Sequence, residues 1–113
     1  MRIARAAQEI GVPAHRLRHY ESVGLVVPDR TETGYRDYSS AQIERARQVK
    51  SLFDMGFTAK DAMLMLPCMT EEPAPNPECA ATRQRMKRRL RELTARRRQL
   101  ETTESALADW LGH

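Results

Sequence analysis

From Ala80 to Leu111 the chain carries neither proline nor glycine, and this uninterrupted stretch limits the possible folds more than any other feature. Along it Met86, Leu90, Leu93, Leu100, Leu107 and Leu111 recur at alternating spacings of four and three, with Arg97 and Glu104 on the same line. That spacing lays a narrow apolar seam along one long helix, the pattern of a coiled coil. A seam this thin completes its burial against a second chain. The polar pair weakens packing there but can fix the register between helices.

Residues 67–78 hold four of the six prolines together with Glu71, Glu72, Asn76 and Glu78. Proline lacks the backbone donor and restricts its predecessor, so this stretch reads as an extended linker. The sequence therefore divides into residues 1–66, a linker at 67–79 and the long helix at 80–113.

The front part reads as four short helices and a hairpin. Ile3, Ala6, Ala7 and Ile10 share one face of a first helix, which Gly11 is suited to end. Pro13 opens a second helix through about Ser22, with Leu17 facing inward. Two short helices across so tight a turn form a helix-turn-helix, and the second carries His15, Arg16, Arg18, His19 and Tyr20. Leu25-Val26-Val27 reads as a short strand, and Thr31 to Gly34 as the turn before Tyr35-Arg36-Asp37-Tyr38, which makes a small wing. Ser39 with Gln42 has the capping-box spacing, ahead of a third helix with Ile43, Ala46, Val49 and Phe53 inside and Gly56 at its end. Thr58 with Asp61 repeats that start for a fourth helix bearing Ala62, Met63 and Leu66, ended by Pro67.

Composition narrows the function. With 113 residues, 41% hydrophobic and 5% aromatic, the chain suits thin helical packing, and a self-sufficient enzyme is not expected. No Ser/His/Asp set, phosphate loop or closed metal cluster is present. The net charge of +4 is unevenly spread: nine cations face six acids in 1–50, one faces five in 51–79, and nine face four in 80–113. Basic ends favour nucleic acid as a partner. Neither a signal peptide nor an apolar run near the ~20 residues of a membrane helix is read, so a cytoplasmic protein without a membrane partner is expected. In that compartment Cys68 and Cys79 are expected to be reduced thiols.

Arg16-Leu17-Arg18-His19-Tyr20-Glu21, then Val23-Gly24-Leu25, the wing Gly34-Tyr35-Arg36-Asp37-Tyr38-Ser39 and Met55-Gly56-Phe57 occur in an order that resembles the MerR family of bacterial transcription regulators. The resemblance covers nearly the whole chain. It implies a mainly α fold: a winged helix-turn-helix with a small β wing, followed by a long dimerisation helix forming an antiparallel coiled coil. It also implies a homodimer on a pseudo-palindromic promoter operator with an overlong spacer, where distortion of the DNA lets RNA polymerase engage both promoter elements. Arg18 and Tyr20 become phosphate-positioning residues by the same resemblance.

Chemistry alone supports related roles. Arg16 and Arg18 offer guanidinium forks for phosphate or guanine, and His15 is placed for base readout. Arg36, beside Tyr35 and Tyr38, would grip flanking backbone or minor groove. His15 and His19 have the spacing of a helical metal pair, but DNA contact is the preferred reading. The run Arg83 to Arg98 is a solvated face whose edges alone would meet DNA or polymerase. Met63, Met65 and Met69 read as core filler, and Trp110 as an anchor against its own or the partner's linker.

No cofactor is required by these residues. Cys68 and Cys79, with His113 from a partner helix, offer two thiolates for a soft metal ion, or a thiol redox change that resets the linker. Metal-sensing members of the family carry a cysteine loop after the long helix, and no cysteine follows Cys79 here, so a family-type metal site is expected to be incomplete. The alternative function is an architectural or recombination-accessory DNA-binding protein without an effector, against which the long seam argues.

Overall fold

The computed structural model describes residues 1–69 and 77–112, apart from the side chains of Pro77 and Glu78. It comprises two compact units, Met1–Pro75 and Asn76–His113. Most of the expected linker and His113 lie outside the described residues.

The first unit is built on α1 (Ile3–Ile10), α2 (Ala14–Ser22), α3 (Ser40–Asp54) and α4 (Ala59–Met65). Ala6, Ala7 and Ile10 bury the apolar stripe of α1, and Gly11 ends it at φ +87°, donating its N–H to the Ala7 carbonyl at 2.8 Å. A β-carbon disfavours that left-handed conformation, which is why glycine stands at the turn. Pro13 caps α2 with φ −63°, close to its ring-fixed value. Both expected capping boxes form: Ser39 with Gln42 on α3, and Thr58 with Asp61 on α4. Each satisfies two backbone donors that a helix start otherwise leaves open.

Leu25 to Val27 does not form a strand. The backbone N–H groups of Leu25 and Val26 both turn back to the Tyr20 carbonyl, at 3.0 and 3.4 Å. The carbonyls that a neighbouring strand would engage are taken by α3 side chains, Arg45 Nε to Leu25 O at 2.6 Å and Gln42 Nε2 to Val27 O at 2.7 Å. Leu25 and Val26 thus plug the core as irregular chain, both fully buried. The wing starts later, pairing β1 (Asp29–Arg30) antiparallel to β2 (Arg36–Asp37), with Arg30 opposite Arg36.

One core unites these elements through Leu17, Tyr20, Leu25, Val49 and Leu52, among others. On α4 the inward residues are Ala62 and Met65, and Met63 is exposed, contrary to the expected face. The helix continues into a 3₁₀ turn over Leu66–Cys68 rather than stopping at Pro67.

The second unit is α5 (Pro77–Leu111), a single helix of 35 residues that starts three residues before the expected boundary at 80. Proline is tolerated at a first helical position because its missing donor would be unpaired there. Among the described residues no helix is long and apolar enough to cross a membrane.

Candidate nucleic-acid interface

Helical periodicity sorts the residues of α2 onto two faces. Leu17 and Tyr20, three apart, are buried, while His15, Arg16, Arg18 and His19 are all exposed. Among the described residues no hydrogen bond or ion pair engages those four side chains, so their donors face solvent. Two guanidinium forks and two imidazoles give this outward face a cluster of hydrogen-bond donors suited to an anion, with Asp54 at its edge beside Arg16 and His19.

Glu21, the next polar position, serves a different purpose that the sequence reading missed. Its carboxylate accepts from Arg36 Nε at 2.6 Å and pairs with Arg30 Nη2 at 3.2 Å, so one arginine from each wing strand is held. Tyr38 adds its hydroxyl at 3.4 Å. A carboxylate in the last turn of a helix faces the negative end of the helix dipole, and the two arginines offset that cost. Glu21 thereby ties the wing to α2.

Tyr20 and Tyr38 lie in the core, 1% and 2% exposed. Tyr20 stacks on Phe53 with ring centroids 5.4 Å apart, and its buried hydroxyl has no hydrogen-bond partner among the described residues. Desolvation raises the pKa of both phenols above the ordinary 10; for Tyr38 the neighbouring Glu21 charge adds to the rise. Both rings belong to the common core against which α2 packs.

At the wing Tyr35 is 55% exposed, and the Arg2 guanidinium sits 4.2 Å from its ring centroid. The stacking adds a cation to the wing surface. Sequence reasoning passed over Arg2 because it precedes the first helix; only the fold brings it to the hairpin. The Met1 carbonyl accepts from the Tyr38 N–H at 2.7 Å, which holds this segment along β2.

On α5 the seam residues are open in the single chain: Leu90, Leu93, Leu100 and Leu107 are 65%, 46%, 53% and 60% exposed. Trp110 is 90% exposed, and the linker expected to receive it lies mostly outside the described residues. Cys68 and Cys79 are joined in a disulfide, which corrects the expectation of reduced thiols. Oxidised sulfurs carry no thiolate for a soft metal, and among the described residues no three His, Cys, Asp or Glu side chains gather as ligands.

Comparison with known proteins places these features in context. Residues 1–67 match the model of the MerR HTH family regulatory proteins. The HTH-type transcriptional regulator HmrR of Rhizobium leguminosarum bv. viciae is 30% identical over 105 residues, covering 89% of this chain and 81% of the relative. The mercuric resistance operon regulatory protein of Bacillus cereus is 35% identical over 74 residues, 65% of this chain and 56% of its own length. Among solved structures, HiNmlR, a MerR family regulator lacking the sensor domain and bound to promoter DNA, superposes with a TM-score of 0.75 at 23% identity. That match spans 97% of this chain and 89% of HiNmlR, and it concerns the fold.

Proposed function

Since this chain belongs to the MerR family of helix-turn-helix regulatory proteins, we propose that it is a homodimeric transcription regulator that binds promoter operators and acts by distorting their DNA. The carrying observation is the sorting of α2: apolar Leu17 and Tyr20 inside, His15, Arg16, Arg18 and His19 outside and unpaired among the described residues. In this reading α2 enters the major groove, with His15 nearest the base edges and Arg16 and Arg18 on phosphate or guanine. Tyr35, Arg36 and Arg2 extend the contact along flanking backbone. Tyr20 and Tyr38 support that surface from the core, and a direct phosphate contact by either hydroxyl would require it to emerge on binding.

Two copies joined through the exposed seam of α5 set the separation of the two recognition helices, and RNA polymerase reads the resulting promoter shape. In vitro selection from a random duplex library tests the reading. An enriched inverted repeat with fixed half-site spacing is expected; a pool without a repeated half-site contradicts it.

The cysteines supply the signal input in this proposal. Hydrogen peroxide, as oxidant, takes two electrons from the Cys68 and Cys79 thiols: the S–S bond forms, the O–O bond breaks, and the two thiol protons leave in two waters. Closing so short a loop removes about 3 kcal/mol of chain entropy from the open linker in the loop-closure model. Operator affinity should shift between peroxide-treated and dithiol-reduced protein and stay constant in C68S/C79S. An unchanged wild-type affinity would exclude this input.

A further inference from the structure

The long helix is electrically divided. Residues 83–98 hold nine Lys and Arg with Glu92 as the sole acid, whereas 99–112 hold Glu101, Glu104 and Asp109 with no Lys or Arg. Two copies lying parallel would stack nine cations on nine. Lying antiparallel, the basic half of each would cover the acidic half of the other, so charge alone selects one orientation for self-pairing.

The seam has the same symmetry. Leu93 and Leu107 stand seven residues before and after Leu100, Leu90 stands ten before and Leu111 eleven after. Arg97 and Glu104, three before and four after, are the two charged positions on that line. An antiparallel crossing centred beside Leu100 therefore sets leucine near leucine and brings each Arg97 within reach of the partner's Glu104. A crossing centred beside Arg97 or Glu104 instead sets like charges together, and one centred beside Leu93 or Leu107 sets a charged residue against a leucine.

Neither side chain is committed elsewhere. Arg97 reaches Glu101 of its own helix only at 3.8 Å, with both side chains about 70% exposed (71% and 70%), a type of pair that contributes little. Glu104 has no hydrogen bond or ion pair among the described residues.

From the charge halves and this symmetry, and resting on the homodimer reading above, we infer that Arg97 and Glu104 are the specificity-determining residues of self-association, forming two reciprocal ion pairs across an antiparallel seam centred beside Leu100. Their contribution is discrimination. A pair of this kind adds little over leucine in the same place, but a mismatched partner leaves a like charge or an unpaired one on the seam.

Native mass spectrometry and sedimentation of full-length R97E, E104R, their equimolar mixture and the R97E/E104R double variant test this. Each single variant should self-associate about tenfold more weakly than wild type or worse. The mixture should form heterodimers almost exclusively, because both cross-helix pairs are attractive there, and the double variant should regain affinity within about threefold of wild type. Heterodimer formation also shows that a weak single variant is folded. Single variants that dimerise like wild type overturn the inference, since a parallel pair gives that result, as does a crossing centred elsewhere. A wild-type chain that stays monomeric at about 100 μM, above the micromolar range of ordinary association, overturns the homodimer reading itself.

Discussion

In the first unit Leu17, Leu25, Val26, Val49 and Leu52 are completely buried, whereas on α5 each leucine of the seam is at least 46% exposed. The same residue type meets opposite fates within one chain. The helices of the first unit are short and cross one another, so their apolar faces close over a common core, while α5 presents a single line of side chains along roughly 50 Å at a helical rise of 1.5 Å per residue. The winged unit closes its own core, and the long helix leaves its apolar line open, which in the proposed dimer would be half of an interface.

The strongest way to break this contrast is to charge the seam. L93E/L100E should abolish dimers and lower affinity for a two-half-site DNA by about 100-fold, through loss of the linked second binding event. A variant that remains dimeric in sedimentation would show that another surface joins the copies. L17A probes the opposite side of the contrast. It should cost about 2–5 kcal/mol in urea unfolding of the first unit, because a fully buried leucine leaves a cavity, and it should leave seam pairing intact. A similar loss of dimerisation would mean that the two units do not act independently.

Smaller effects sharpen the account of the first unit. E21Q should release the wing, seen as faster amide exchange over residues 29–37 with little change in α3; because the Arg30 and Arg36 side chains are 52% and 34% exposed, the stability change should stay near 1 kcal/mol or below. Unaltered wing exchange would place the tie elsewhere. The smallest effect concerns pH. Tyr20 and Tyr38 have pKa values raised in the folded chain, so the fold favours their protonated forms. Stability should be fully present below pH 10, the ordinary phenol value, and fall as pH rises past it, where the unfolded phenols lose protons first. Y20F should blunt this alkaline loss, and urea midpoints between pH 9 and 11 measure it.

Features encoded within a few neighbouring residues were legible in the sequence. Gly11, Pro13, the two capping boxes and the inner face of α3 at Ile43, Ala46 and Val49 depend on local spacing, and the structure repeats them. What required the fold were residues whose partners lie far along the chain. Leu25 to Val27 has strand composition, but Arg45 and Gln42 supply its hydrogen bonds. Only seven residues make up α4, too short a helix for its pattern to separate Met63 from Met65. The outward face of α2 could be read from its charges, yet the inward place of Tyr20 and Tyr38 follows from Phe53 and Glu21, and the link between the cysteines spans eleven positions. The division of α5 into basic and acidic halves was present in the sequence, and counting the charge of 80–113 as one block hid it.

The claim on which the rest depends is that the outward face of α2 meets DNA phosphates. The salt dependence of binding tests it most directly, measured by fluorescence anisotropy for wild type and R18A on an inverted-repeat duplex obtained by selection. Loss of one phosphate contact per protomer should weaken binding across sequences and make the slope of log affinity against log salt shallower by about 1 for each contact removed. Affinity and slope both unchanged in R18A would contradict it.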